Sequence, residues 1–406
     1  MKEFKGNFPE NFYWGTAISA LQTEGDNINS DWWDYTEAGK IGKNVKIGKA
    51  TNHYELYESD FDLVQGLNNN AFRFSIEWSR IEPEPGKFDL TEVEHYRNYI
   101  VSLKRRGIEP FVTLYHFSLP SWFLEKGGWL NKNSAKYFAR YARFLMENLL
   151  IESGVRFVIT INEPLIYSFI SYYSKRWPPQ EHSLIKTIRV ALALVKAHKA
   201  AKKAITKSSK ETMVGLSHFM TYFEPYPKNS INNFFASTAD HFWNRYFLNK
   251  IKRHIDFIGL NYYQHDRVSF SLGKIFNPKK IFTGNNENLE VSDMGWEIYP
   301  SGIYYLLMEL KKYKKPIFIT ENGVADEKDK IRSAFIMEHL KYVWKAMRDG
   351  ADVRGYFYWS LLDNMELDHG YGPRFGLFEV DYADLSRRPR VSARVYADIA
   401  RQNKII

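Results

Sequence analysis

The sequence predicts an α/β fold, a single (β/α)8 TIM barrel over residues 1–406. Three observations point there. Eight short apolar runs rich in β-formers recur along the chain. A helical pattern lies between successive runs, and no Ser/Gly-rich linker, low-complexity tract or sharp repeat breaks the 406 residues. Length alone would allow two or three domains, but single barrels routinely exceed that prior. Runs that are apolar throughout fit strands buried on both faces, as in a parallel sheet. Eight of them alternating with helices fit a closed barrel.

The runs are Tyr13–Ile18, Ala71–Ile76, Pro110–Tyr115, Phe157–Ile161, Met213–Phe219, Phe257–Tyr263, Pro316–Thr320 and Gly355–Ser360. Between the third and fourth, Phe138, Tyr141, Leu145 and Leu149 make one helical stripe. Between the fourth and fifth, Ser183 can cap a helix whose Ile185, Ile188, Leu192 and Val195 form another. Lys196, Lys199, Lys202 and Lys203 load the later part of that helix, where cations suit the dipole.

Composition removes several function classes. There is no Cys, hence no disulfide framework, thiolate metal site or thiol nucleophile. The balance of 44% hydrophobic and 25% charged residues is that of a globular protein. The start, MKEFKGNFPENF, lacks the apolar stretch of ~7–15 residues of a secretory signal. The longest aliphatic run, Val190–Val195, falls far short of the ~20 residues that span a bilayer. A cytoplasmic protein is the expectation, and Lys and Glu without Cys fit a thermophile. The net charge of +9 comes from scattered groups such as Lys311-Lys312-Tyr313-Lys314-Lys315 and Arg387-Arg388-Pro389-Arg390, with no nucleic-acid motif around them. They read as solvated surface, so no nucleic-acid partner is expected. Aromatic residues reach 17%, more than a core of this size needs, which leaves rings for stacking on the apolar faces of sugars.

A barrel places its chemistry at the C-terminal strand ends. There the chain carries Tyr115-His116, Asn162-Glu163-Pro164, Asn261-Tyr262-Tyr263, Thr320-Glu321-Asn322-Gly323 and Trp359, with Glu366 in the following loop. Glu163 and Glu321 follow the fourth and seventh strands, so both can face one cavity. A carboxylate pair is the equipment for cleaving a glycosidic bond: one group protonates the leaving oxygen, the other attacks or stabilises the cationic centre. Asn162 can hold a substrate hydroxyl or cap a loop. Tyr263 can donate to a carboxylate or pack in the core. His116 can bond a sugar hydroxyl or be structural. Trp359 can be a sugar platform or barrel core. Arg73 lies in an otherwise apolar strand and needs a carboxylate partner, because an isolated buried charge is very costly.

The segments Phe12–Ala17, Gln22–Gly25, Ala71–Arg80, Pro110–His116, Gly127–Leu130, Thr160–Pro164, Asp256–Tyr263, Gly295–Pro300, Ile319–Gly323, Tyr358–Asn364 and Arg374–Leu377 occur in this order. In them the chain resembles glycoside hydrolase family 1, the retaining β-glycosidases of the β-glucosidase type, and its short thermophilic archaeal members in particular. The resemblance implies Glu163 as general acid/base and Glu321 as nucleophile. It implies Gln22, His116, Asn162, Trp359 and Glu366 at the subsite for the terminal sugar, and Arg73 and Tyr263 against the nucleophile. It implies neither a metal nor an organic cofactor, a small-molecule β-glycoside as substrate, and, through Glu366, an unphosphorylated sugar.

The chain also departs from that family. Leu367 follows Glu366 where the family usually has a Trp that donates its indole N–H to the sugar. Met365 replaces an aromatic, and Phe117-Ser118 follow His116 where Trp-Asp is usual. The stretch from Glu163 to Asn261 is shorter than usual, so a shortened fifth crossover is expected. The expected activity is hydrolysis of terminal non-reducing β-D-glucosyl residues, with galactosyl, fucosyl or mannosyl residues as further candidates, through a covalent glycosyl-enzyme. Glu163 must then begin protonated, and a carboxylate at Glu321 should raise its pKa. The competing reading is a non-catalytic glycoside- or glycolipid-binding barrel. The basic and aromatic stretch 267–282 would serve it, by touching a membrane surface or covering an apolar aglycone.

Overall fold

The computed structural model describes residues 6–41, 45–270 and 290–405. Its strands are β1 (Tyr13–Ala17), β2 (Ala71–Ser75), β3 (Glu109–Thr113), β4 (Phe157–Asn162), β5 (Met213–Pro225), β6 (Phe257–Val268), β7 (Ile317–Asn322) and β8 (Val353–Trp359). They close in sequence order into a barrel whose neighbours are all parallel, β8 pairing back onto β1. The eight apolar runs are these eight strands. Only β5 and β6 run well past expectation, pairing with each other as far as Pro225 and Val268.

The main helices between strands are α1 (His53–Gly66), α2 (Leu90–Arg105), α3 (Ser134–Leu145), α4 (Pro164–Tyr172), α5 (Leu184–Ser208), α6 (Ser230–Asp240), α7 (Tyr246–Ile251), α8 (Pro300–Leu310) and α9 (Arg332–Arg348). Helix α10 (Val391–Gln402) follows β8. The fifth crossover is short, holding α6, one wide turn and α7 between Pro225 and Phe257. On α3 the predicted stripe is right: Phe138, Tyr141 and Leu145 are fully buried, and the wide turn Met146–Leu150 keeps Leu149 on the same face.

Helix α5 corrects its prediction. Ser183 does cap it, accepting from the Lys186 amide at 3.3 Å. Ile185 and Ile188, however, are 72% and 50% exposed. The face that packs on the barrel runs instead through Val190, Leu194, Ala197, Ala201 and Ile205, all fully buried. The first two turns overhang the core, and alanines lower down let the helix approach closely. The expected stripe therefore fails in its first half: Leu192 is half-buried and Val195 buried, and the packed face is set by the alanines.

The surplus of rings is also largely internal. Phe111, Phe157, Phe257, Phe318 and Phe357 fill the barrel interior, Phe111 and Phe157 stacked at 4.2 Å. Burying each contributes ~1.5–3 kcal/mol. The space for them comes from glycines: a Cβ on Gly215 would lie 2.4 Å from the Phe257 ring, and one on Gly15 would lie 2.5 Å from that of Phe357. Above this aromatic floor the barrel turns polar, beginning with Arg73 on β2, which is fully buried.

Of the stretch 267–282, Arg267 pairs with Glu297 at 3.1 Å and Phe270 stacks on Phe235 at 4.6 Å. Residues 271–282, which carried most of the expected membrane contact, lie outside the described residues. Among the described residues no helix is long and apolar enough to cross a membrane.

Candidate active site

Glu321 lies at the end of β7 and Glu163 immediately after β4. Glu163 takes φ +44°, ψ 61°, a left-handed conformation uncommon outside glycine. Strain of this kind, costing on the order of 1–3 kcal/mol, concentrates at functional sites. It turns the chain sharply from strand into α4, whose first residue, Pro164, lacks an N–H that the helix start does not need. At the other carboxylate, Gly323 lets the chain pass against β8. A Cβ there would meet the Trp359 carbonyl oxygen at 1.8 Å.

The two carboxyls have different partners. Glu321 Oε1 accepts from the Arg73 guanidinium, and Oε2 accepts from the Tyr263 hydroxyl at 2.8 Å. Burial and the neighbouring Glu321 push the Tyr263 phenol well above its usual pKa, so it remains a donor. Arg73 also donates to the Asn162 carbonyl at 2.7 Å and to Thr113 at 3.3 Å. Among the described residues Glu163 has no cation in contact; its Oε1 accepts from the Asn261 amide at 2.6 Å. Burial first, and the charge of Glu321 second, raise the Glu163 carboxyl well above its ordinary pKa. The charge effect expected from sequence is present, and desolvation outranks it.

Arg73 also fixes a chain of tautomers. A guanidinium can only donate, so the Asn162 atom facing it must be the carbonyl oxygen. The Asn162 amide nitrogen then donates to His116 Nε2 at 3.1 Å. Burial and the charge of Arg73 hold His116 well below its usual pKa, hence neutral. With Nε2 accepting, the ring proton sits on Nδ1, which is buried and has no protein partner. Glu366 Oε2 is likewise buried and unpartnered. Its carboxyl is raised to about 8, by burial and then by Glu321 and Asp368. Two buried polar groups, the His116 N–H and the Glu366 carboxyl, are thus left open, as a polyhydroxylated ligand would require.

Gln22, His116, Glu163, Tyr263, Glu321, Trp359 and Glu366 line one cavity of about 410 Å³. Arg73 and Asn162 stand behind that lining and orient its members. The amide N–H groups of Gln22 are engaged by Asn364 and the Met365 carbonyl, at 3.0 and 2.9 Å. Trp359 lies near His116, ring centroids 5.9 Å apart. Among the described residues no group of three or more His, Asp or Glu could hold a metal.

Sequence reasoning missed several participants. Asn261 bridges Asn162 and Glu163, donating to both, and its own carbonyl accepts from Thr320 at 2.6 Å. Its place at a strand end was the available signal. Apolar side chains also line the cavity, Ile166 and Ile170 from α4 with Met294, Trp296 and Phe375. Trp177, from the loop after α4, also lines the cavity, and no motif marked it.

Comparison with known proteins agrees with this geometry. The model of Glycosyl hydrolase family 1 matches residues 4–253 and 248–405. Beta-glucosidase A of Thermotoga maritima is 33% identical, over 98% of this chain and 98% of that protein. A solved beta-glycosidase from Pyrococcus horikoshii is 41% identical with a TM-score of 0.93, covering 99% of this chain and 97% of the other. A beta-glucosidase from Thermotoga maritima, solved in complex with glucoimidazole, is 31% identical with a TM-score of 0.92, covering 98% and 99%. The chain belongs to glycosyl hydrolase family 1 and is a retaining β-glycosidase of the β-glucosidase type.

Proposed function

We propose that residues 1–406 form one catalytic unit in which Glu321 is the nucleophile and Glu163 the general acid/base. Glu321 attacks the anomeric carbon while Glu163 gives its proton to the leaving oxygen, forming a covalent glycosyl-enzyme. Glu163, now a carboxylate, takes a proton from water, which displaces Glu321 and releases the sugar with its β configuration retained. The observation that supports this division is the unequal set of partners. Two donors, one of them cationic, face the two oxygens of Glu321 and aim its carboxylate into the cavity. Burial, and then the neighbouring Glu321, raise the Glu163 carboxyl and so favour its acid form where a proton must be given.

The substrate we propose is a small β-glycoside with a terminal non-reducing β-D-glucosyl residue, galactosyl, fucosyl and mannosyl residues being further candidates. Its sugar would meet His116 Nδ1–H, Glu366 and Gln22, with Trp359 beneath it and Asn162 holding His116 from behind. Its aglycone would lie between Ile170 and Trp296. The cytoplasm is the proposed place of action, which cell fractionation checks.

A dinitrophenyl 2-deoxy-2-fluoro-β-glucoside tests the assignment. The fluorine slows both steps, while the activated leaving group restores the first, so the intermediate accumulates. Peptide mass spectrometry should then find the sugar on Glu321. Label on Glu163 would reverse the roles. A non-catalytic binding barrel would show neither label nor turnover of an aryl β-glucoside.

A further inference from the structure

Asn261 pairs in register with Glu321 across β6 and β7 and is fully buried. It does not line the cavity, yet among the described residues it is the one side chain that hydrogen-bonds the Glu163 carboxyl. Which of its amide atoms faces which neighbour follows from Arg73. The guanidinium donates to Asn162 at 2.7 Å, so the Asn162 atom there is the carbonyl oxygen. That oxygen lies 3.1 Å from the Asn261 amide, so the Asn261 atom facing it must be the nitrogen. The second proton of this nitrogen then points at Glu163 Oε1, at 2.6 Å. The Asn261 carbonyl is left to accept from the Thr320 hydroxyl at 2.6 Å, and the Thr320 carbonyl accepts from Arg73 at 3.1 Å. Both polar atoms of the Asn261 side chain are thus engaged, and neither can be exchanged for the other.

We propose that Asn261 is a positioning residue for proton transfer: it holds Oε1 of Glu163 as an acceptor, so the proton that is given and taken rides on Oε2. This rests on the proposed role of Glu163 as general acid/base. In a protonated carboxyl the carbonyl oxygen is the strong acceptor, so an N–H this close selects Oε1 as the carbonyl and leaves the hydroxyl at Oε2. Among the described residues Oε2 has no protein partner, which leaves it for the leaving oxygen. In the first step the Oε2 proton passes to that oxygen as its bond to the anomeric carbon breaks. In the second, a water proton passes to Oε2 as the water oxygen bonds the same carbon and Glu321 departs. Oε1 accepts from Asn261 throughout, most strongly while Glu163 is a carboxylate. The guanidinium that engages Glu321 therefore also sets, through Asn162 and Asn261, the oxygen on which Glu163 carries its proton.

The test compares leaving groups in Asn261→Ala. For methyl β-glucoside, whose leaving oxygen needs the proton, kcat/KM should fall about tenfold or more. For a dinitrophenyl β-glucoside, which departs without one, it should stay within about threefold. The alkaline limb of the methyl glucoside profile should move up by about one pH unit, because losing a donor to the carboxylate favours the acid. Thr320→Val removes only the donor that fixes the Asn261 amide, and should show the same split at about three- to tenfold. Thr320→Ser, which keeps the hydroxyl, should recover that loss. The Thr320 pair decides alone if Asn261→Ala does not fold. Equal losses on both substrates would show that Asn261 only maintains the shape of the site and would overturn the inference, as would an unmoved alkaline limb or an unchanged methyl glucoside rate. Those results would leave Glu163 as acid/base intact. A Glu163→Ala variant with no dependence on the leaving group would remove that role, and the inference with it.

Discussion

The ends of β4 and β7 carry the same residue type into the same cavity, yet they prepare it for opposite work. At β7 the carboxylate is surrounded by donors: Arg73 on one oxygen, Tyr263 on the other. At β4 the backbone is forced left-handed at Glu163, and the carboxyl meets one neutral amide. Hydrogen bonds to an anion favour the anion, whereas burial without a counter-charge favours the acid. The difference teaches that the assignment of roles lies in the partners, which arrive from β2 and β6, and not in either glutamate's local sequence.

Breaking each side should therefore cost different things. Glu321→Ala removes the nucleophile, and hydrolysis of every substrate should fall on the order of 10^4-fold or more. Glu163→Ala should cost about 10^2 to 10^4-fold for alkyl glycosides, whose leaving oxygen needs a proton. Its penalty in the first step should be slight for a dinitrophenyl glycoside, which departs without one. The pH profile sharpens the same contrast. Wild-type kcat/KM should fall as pH rises through the raised pKa of Glu163, since the acid form is the active one. In Glu163→Ala with the dinitrophenyl substrate that alkaline limb should vanish. A limb that persists would assign it to another group.

Tyr263→Phe deletes one of the two donors to Glu321. A hydrogen bond to a charged group is worth ~1.5–3 kcal/mol, so kcat/KM should drop roughly 10- to 150-fold. Steady-state rates on the aryl glucoside read this directly, and an unchanged rate would show that Arg73 alone suffices.

The smallest effect is on stability, and it should differ in sign between the two carboxylates. Glu321→Ala leaves the Arg73 guanidinium buried without its counter-charge and should lower Tm. Glu163→Gln should raise Tm by a few degrees, because a neutral amide replaces a carboxyl that burial disfavours as an anion. For Glu163 the folded pKa lies above the unfolded one. Its contribution to stability is thus fully present below the unfolded pKa and is lost as pH rises through the folded one. The advantage of Glu163→Gln should accordingly grow with pH across that window, and calorimetry at two pH values checks it.

The barrel was legible because strands buried on both faces leave uninterrupted apolar runs, and all eight runs became strands. The polar rim was legible because strand ends are the places to look: His116, Glu163, Tyr263, Glu321 and Trp359 all reach the cavity. What stayed hidden arises from tertiary geometry. The face that α5 buries depends on how far the helix overhangs the core, which no spacing rule contains. The donor on His116 Nδ1 follows from Arg73 on β2, acting through Asn162 on β4. Trp177 enters from a loop whose course is set by Asp368 and by the Tyr35 hydroxyl, which donates to the Arg176 carbonyl at 2.7 Å. The aromatic surplus divides between the barrel interior and the cavity, where Trp177, Phe219, Trp296, Trp359 and Phe375 stand, a division that composition cannot make.

The two roles are tested most directly by the anomeric configuration of the product formed with azide, read by NMR in two variants. In Glu321→Gly, azide can enter the vacated space and attack an activated β-glycoside itself, so the product should be the α-glycosyl azide. In Glu163→Ala, azide should intercept the glycosyl-enzyme on Glu321 and give the β-glycosyl azide. Opposite configurations from one added nucleophile are the expected result. The same configuration from both variants, or rescue of neither, would contradict Glu321 as nucleophile and Glu163 as acid/base.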